Sequence, residues 1–125
     1  MRTALIALAI AAVAAPGGAK DRSSHIPEAI PTGKAQSCIT TSRIRQSHVR
    51  NDWVIDFEMN GGQIYRNTLP FACSNLEFEQ SFAYKTSVGE LCSVDTITVL
   101  HSGGTGAGPT CGLGEFQPVR LVAKR

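Results

Sequence analysis

This chain is poor in charge and in aromatic side chains. Charged residues make up 18% of its 125 positions, aromatic residues 6%, and the net charge is +2. Such a balance favours neither nucleic acid nor an anionic membrane as an obligate partner. We find no internal repeat and no long amphipathic helix, so short strands with turn signals dominate the pattern.

The motifs of common catalytic sites are also missing. No Gly-x-Ser-x-Gly elbow surrounds Ser93, although Asp95 and His101 lie nearby in sequence. The glycine-rich stretch 101–109 lacks the Gly-Lys-Ser/Thr of a phosphate-binding loop and indicates a flexible inter-strand loop. Asp95 is expected to cap a turn through its carboxylate. We therefore predict no catalytic residue.

Metal-binding spacing is absent as well. Successive cysteines are 35, 19 and 19 residues apart, whereas structural zinc sites use pairs two to four residues apart. His25, His48 and His101 are far apart in the chain. We therefore predict no metal and no other cofactor.

Only one long apolar run is present, and it is N-terminal. Residues 4–15 contain only Ala, Leu, Ile and Val, and Arg2 precedes them. Because a bilayer span needs roughly 20 residues, this run predicts a signal peptide over 1–19, cut before Lys20. No cysteine lies at the cut, so no lipid anchor is expected. Removal of Arg2 lowers the net charge from +2 to +1.

The remaining chain has the length of one domain. Residues 20–36 contain Pro27, Pro31 and many polar side chains, and they predict a flexible N-terminal lead. Residues 37–125 form the predicted domain, and it is exported to the periplasm or secreted. Two disulfides are expected in that oxidising space, since the chain has an even set of cysteines: Cys38, Cys73, Cys92 and Cys111.

The strongest local pattern is a β-hairpin. Apolar and mostly charged side chains alternate over 53–59, so one strand face should be apolar, with Trp53 on it, and the other mostly charged. Asn60-Gly61-Gly62 follows, and these residues accept the positive φ of a tight turn. The return strand, 63–69, ends at Pro70, which lacks an amide donor. Asp56 and Glu58, roughly 7 Å apart on the polar face, are interpreted as solubilising groups rather than as an acid–base pair.

Further strands are predicted, with a helical turn within 71–79. The fold class is therefore mostly β, a small antiparallel barrel or curled sheet with two disulfides. The predicted strands cover 39–49, 81–87, 95–100 and 114–122.

Several segments carry a resemblance to a known family. They are Cys38-Ile39 with Ile44-Arg45, Tyr65-Arg66-Asn67-Thr68-Leu69-Pro70, Cys73, Leu91-Cys92-Ser93-Val94-Asp95-Thr96-Ile97 and Cys111-Gly112-Leu113-Gly114-Glu115-Phe116. With this spacing, residues 38–119 resemble an uncharacterised family of small exported proteobacterial proteins, a domain of unknown function. The resemblance implies a secreted or periplasmic domain with all four cysteines in family positions. It implies no catalytic residue, substrate or cofactor.

Cysteine pairing is open from sequence, because four cysteines allow three connectivities. Cys38 begins the first predicted strand and Cys111 precedes the last, so their ends would meet in a closed or curled sheet. Cys73 and Cys92 flank the 81–87 segment. This topology favours Cys38–Cys111 with Cys73–Cys92.

Two function hypotheses remain. The leading one is a non-enzymatic binding or envelope-accessory module, with an envelope protein or an anionic envelope component as partner. The alternative is a small periplasmic hydrolase or a hydrolase inhibitor. A binder should expose an aromatic or arginine surface, whereas an enzyme needs a pocket with coupled titratable groups. The arginines proposed for anion binding are Arg43, Arg45, Arg50 and Arg66.

Overall fold

The computed structural model describes residues 26–86, 88–101 and 106–122. The predicted signal peptide and the first part of the predicted lead therefore lie outside the described residues. One 3-10 turn covers Thr41–Arg43 and one short helix, α1, covers Leu76–Glu79. The strands are β1 Ala29–Pro31, β2 Cys38–Thr40, β3 Ile44–Val49, β4 Val54–Met59, β5 Ile64–Thr68, β6 Phe82–Tyr84, β7 Glu90–Cys92, β8 Thr96–Leu100, β9 Ala107–Gly112 and β10 Phe116–Leu121.

The strands form three antiparallel sheets. A five-stranded sheet has the order β1-β10-β5-β4-β3, a two-stranded sheet pairs β2 with β7, and a three-stranded sheet has the order β6-β8-β9. The predicted mostly β fold is confirmed. Among the described residues the sheets do not close into a barrel, so the closed alternative does not apply. No helix in the described part of the chain is long and apolar enough to cross a membrane.

The predicted hairpin is confirmed as β4 and β5. Its register runs from Val54 opposite Thr68 to Glu58 opposite Ile64. Gly61 and Gly62 have φ of 97° and 96°, the left-handed conformation that glycine adopts without a Cβ penalty. The hairpin is therefore determined locally, by turn chemistry and by alternation.

All three sheets contribute to one hydrophobic core. Phe57 of β4 is fully buried and makes edge-on ring contacts with Phe116 of β10 and Phe82 of β6, at centroid distances of 5.6 and 6.2 Å. Such aromatic pairs each add about 0.5–1.5 kcal/mol beyond area burial. The two-stranded sheet adds Ile39 and Leu91. Through this shared core, the two smaller sheets pack against the five-stranded sheet.

The N-terminal segment is more ordered than expected. Strand β1 pairs with β10 from Ala29 opposite Leu121 to Pro31 opposite Val119. Gln36 exchanges two backbone hydrogen bonds of 2.8 Å with Phe116. For the described residues 26–36, this corrects the expectation of a flexible lead. Pro31 is tolerated because β1 is an edge strand, where one amide need not pair.

Other boundaries also differ from expectation. The strand predicted over 39–49 is split into β2, the 3-10 turn and β3. The last strand, β10, lies inside the large sheet, between β1 and β5. The glycine-rich stretch overlaps β9, which begins at Ala107, and residues 102–105 lie outside the described ranges.

Asn67 connects the hairpin to the segment after Cys111. Its buried amide donates to Gly114 O at 2.7 Å and accepts from Gly114 N at 2.8 Å. A Cβ at Gly114 would overlap Thr68 O, so the close approach requires glycine.

Candidate functional site

The two disulfides join Cys38 to Cys92 and Cys73 to Cys111. The predicted pairs, Cys38–Cys111 and Cys73–Cys92, are wrong. Because β2 pairs with β7, Cys38 lies directly opposite Cys92, and their Cα atoms are 4.0 Å apart. The buried Cys73 instead meets Cys111 of β9, with Cα atoms 5.8 Å apart. The topological argument failed because it placed Cys38 and the last strands in one sheet.

Two of the predicted anion-binding arginines surround a buried acid on the outer side of the large sheet. Asp56 is fully buried, and Arg66 lies opposite it across β4 and β5. Arg66 Nε donates to Asp56 Oδ1 at 2.7 Å and Arg66 Nη2 to Oδ2 at 2.9 Å, while Arg50 Nε donates to Oδ2 at 2.8 Å. We name Arg50, Asp56 and Arg66 the Asp56 cluster. The interpretation of Asp56 as a solvated surface group is corrected.

Glu58 occupies the same side of β4, two residues along. It accepts from Arg45 Nη1 at 3.4 Å and lies 3.1 Å from His48 Nε2. Arg43 lies in the 3-10 turn and not on a strand face with Arg45. Of the four predicted arginines, only Arg43 has no carboxylate partner among the described residues. Three of the four arginines are therefore engaged by carboxylates on one side of β4, whereas Arg43 lies in the 3-10 turn.

The catalytic combinations considered from sequence are not assembled. His101 Nδ1 lies 2.9 Å from Glu79 Oε2. Asp95 Oδ2 accepts from Cys92 N at 2.7 Å, which confirms its predicted role in a turn. Ser93 donates its backbone amide to Ser37 O. Asp56, enclosed by two guanidinium groups, is not available as a solvent-exposed acid or base.

One group of three potential metal ligands occurs in the described part of the chain. Cys38, Cys92 and Glu90 have ligand atoms within 4.8 Å of one another. The two sulfurs are bonded to each other, so they present no thiolate to a metal. His25, one of the predicted outlying histidines, lies outside the described residues.

Exposed aromatic side chains are concentrated at the open end of the hairpin. Trp53 is 45% exposed, Phe71 79% and Phe78 82%. We name Trp53, Phe71 and Phe78 the aromatic end. The sequence pattern placed Trp53 on the apolar face of the predicted strand, but Trp53 lies just before β4 and is exposed. Phe71 and Phe78 were missed, although each stands outside any apolar alternation.

The backbone that carries these rings is well fixed. Leu69 N donates to Trp53 O, and Cys73 N donates to Asp52 O, each at 2.8 Å. Asp52 Oδ1 accepts from Glu77 N at 2.8 Å, at the start of α1. The Cys73–Cys111 disulfide joins the same segment to β9. Two backbone segments, 51–53 and 69–79, are thereby held together while presenting aromatic side chains to solvent.

A groove of about 430 Å³ lies at the opposite, closed end of the hairpin. The hairpin contributes Met59 and Tyr65, and the two-stranded sheet contributes Glu90. Arg43 joins them from the 3-10 turn. We name this concavity the turn-end groove. It brings the one predicted arginine without a carboxylate partner to a concave surface.

No family model, curated protein or solved structure matches this chain.

Proposed function

We propose that this chain is an exported, non-enzymatic binding module that contacts a partner protein through the aromatic end. Export is inferred from the predicted signal peptide and is supported by the two disulfides, which persist in oxidising compartments. Membership in the resembled family of small exported proteobacterial proteins is part of the same proposal.

The exposure of Trp53, Phe71 and Phe78 is the observation that carries this proposal. Three of the eight aromatic residues of the chain are displayed to water instead of packing in the core. Aromatic side chains dominate the binding energy of protein interfaces, because they bury a large area with few rotatable bonds. A frame held by a disulfide and backbone hydrogen bonds further reduces the ordering cost of binding.

The charges beside the aromatic end favour a basic partner. Asp52 and Glu77 are next to Trp53 and Phe78, respectively, in the chain. Residues 67–84 contain no base, and of their two acids Glu79 already contacts His101 whereas Glu77 lies beside the exposed Phe78. A partner with apolar side chains flanked by Lys or Arg would match both the rings and the carboxylates, and its cations would also be attracted by the ring faces.

A hydrolase receives less support than a binder. The candidate acids Asp56 and Glu58 are held by Arg50, Arg66, Arg45 and His48, and Asp95 is held by a backbone amide. An inhibitor of a hydrolase remains one form of the proposed binding, with Phe71 on the disulfide-anchored segment as the inserting side chain.

Affinity capture from the native compartment with matched variants tests the proposal. Phe71→Ser and Phe78→Ser alter the aromatic end, while Val94→Ser alters an exposed apolar residue of the β7–β8 turn as a control. We expect a partner with a basic contact surface that binds wild type and Val94→Ser and loses at least tenfold in affinity with Phe71→Ser, as for an interface hot spot. Its affinity should also fall as salt is raised.

Binding is read out directly by Trp53, the single tryptophan of the chain. A partner that changes Trp53 emission in wild type but not in Phe71→Ser supports the proposal. Equal capture by all variants would overturn it. Sedimentation that shows a dimer of wild type but a monomer of Phe71→Ser would assign this surface to self-association instead.

A further inference from the structure

The turn-end groove contains two opposite charges that the protein leaves unpaired. Arg43 and Glu90 both line it, and neither side chain makes an ion pair or hydrogen bond with another described residue. Arg45, Arg50 and Arg66 differ from Arg43 in this respect, because each contacts a carboxylate. The groove thus presents a guanidinium and a carboxylate that are both available to a ligand.

The backbone around these two charges is held by many hydrogen bonds. Glu90 lies opposite Thr40 in the two-stranded sheet, and Thr40 precedes Arg43 by three residues in the chain. Thr41 donates to Gly89 O through its amide at 2.9 Å and through its hydroxyl at 3.0 Å. Asn60 N donates to Arg43 O at 2.8 Å, which joins the 3-10 turn to the hairpin turn. Both charged residues are therefore carried by a defined frame.

Neutral polar groups complete the lining. Tyr65 is half-buried, and its hydroxyl accepts from Gln36 Nε2 at 3.4 Å. Asn60 and Gln63 add amide groups, while the buried Met59 adds apolar surface. A volume of about 430 Å³ lies at the small end of the roughly 300–1,000 Å³ typical of small-molecule sites. The size and lining suit a small polar ligand.

We propose that the turn-end groove binds a small zwitterion, namely a free amino acid whose side chain is uncharged. Its carboxylate would contact Arg43 and its ammonium group would contact Glu90. A purely anionic ligand would face Glu90, and a purely cationic ligand would face Arg43, so each would meet a like charge. A zwitterion meets an opposite charge at both positions. The groove is separate from the aromatic end, and this inference does not depend on a protein partner.

Matched small molecules test the two charge contacts separately. The probes are glycine, glutamine, leucine and phenylalanine, each beside its N-acetyl derivative, which lacks the positive charge, and its amide, which lacks the negative charge. We expect at least one amino acid to shift the backbone amide signals of Asn60 and Gln63 in NMR spectra of the full mature chain. Its two derivatives should bind about 1.5- to fivefold more weakly, the range that corresponds to the free energy of an exposed ion pair.

Single variants connect each preference to one residue. In Arg43→Gln, the amino acid should bind no better than its amide; in Glu90→Gln, it should bind no better than its N-acetyl derivative. Arg45→Gln is the control, because Arg45 lies just after Arg43 but pairs with Glu58 outside the groove, and it should keep both preferences. No shift with any of the amino acids, or derivatives that bind as well as their parent amino acid, would overturn the proposal.

Discussion

The two sides of strand β4 bury side chains of opposite character, an aromatic ring on one side and a carboxylate on the other. On the core side, Phe57 is fully buried among other rings. On the outer side, Asp56 is equally buried, but among two guanidinium groups. Glu58, on that same outer side, is 25% exposed. Burial is therefore not restricted to the apolar side of the strand. On the outer side, Asp56 is shielded from solvent, whereas Glu58, two residues later, is partly exposed to it.

The difference along the outer face comes from what covers each acid. Arg66 makes two hydrogen bonds to Asp56 and also donates to Pro27 O at 3.0 Å, so the segment leading into β1 reaches the cluster. Arg50 adds a third bond to Asp56. Glu58 has only Arg45 and His48 beside it. A buried carboxylate is stable when its charge and lone pairs are matched, and of the two acids on the outer side of β4 Asp56 has the more complete set of donors.

The largest effect should come from the core side. Phe57→Ala removes a ring that contacts Phe116 and Phe82, and large-to-small changes of this kind cost about 3–5 kcal/mol. We expect the free energy of unfolding in urea to fall by about 4 kcal/mol. Phe71→Ala, at an exposed ring, is the control and should change it by less than about 0.5 kcal/mol. Equal losses would contradict the assignment of Phe57 to the shared core.

The next effect should come from Asp56→Ala. This change leaves two guanidinium groups without their carboxylate, and breaking a buried ion pair costs about 3–5 kcal/mol. Because both arginines retain some contact with water, we expect a loss near the lower limit, about 3 kcal/mol. Urea unfolding measures it. A loss below about 1 kcal/mol would show that the ion pairs of Asp56 are screened by solvent, as those of Glu58 are.

The two arginines of the Asp56 cluster should not be equivalent. Arg66→Gln removes three hydrogen bonds, including the one to Pro27, whereas Arg50→Gln removes one. A hydrogen bond to a charged group contributes roughly 1.5–3 kcal/mol, and the shorter glutamine amide can replace part of what Arg66 donates. We therefore expect a loss of about 2.5 kcal/mol for Arg66→Gln and about 1.5 kcal/mol for Arg50→Gln. The order is checked by unfolding both variants in one urea series. The reverse order would place the main support of Asp56 on Arg50.

The smallest effect should come from Glu58→Gln. Exposed ion pairs contribute about 0.2–1 kcal/mol, so we expect a loss of about 0.5 kcal/mol. The difference from wild type should vanish at about 1 M salt, where surface charges are screened. Asp56→Ala at the same salt is the comparison, and its loss should persist. A Glu58→Gln effect that resists salt would remove the contrast between the two acids.

Much of the fold follows from local patterns, whereas little of the candidate site does. The helical turn of α1 and the strands β6 and β8 were predicted because β-branched runs, aromatic alternation and turn residues act over a few positions. Trp53 continues the same apolar alternation as Ile55, yet Ile55 is fully buried and Trp53 is exposed. At the end of a strand, exposure depends on which segments cover the side chain, and alternation carries no information about that.

The sequence by itself determined the β character of the chain, the β4–β5 hairpin and its Asn60-Gly61-Gly62 turn, because backbone dihedral preferences and side-chain alternation are local properties. The tertiary structure alone decided the pairing of Cys38 with Cys92, the burial of Asp56 between two arginines and the presence of Arg43 with Glu90 in one groove. Each of these depends on segments far apart in the chain, such as β2 meeting β7, whose proximity is set by how three sheets share one core. Contacts between segments that are distant in the chain produce no hydrophobic periodicity in either segment. The sequence therefore specified the secondary-structure elements, and packing around the core decided which elements pair with each other.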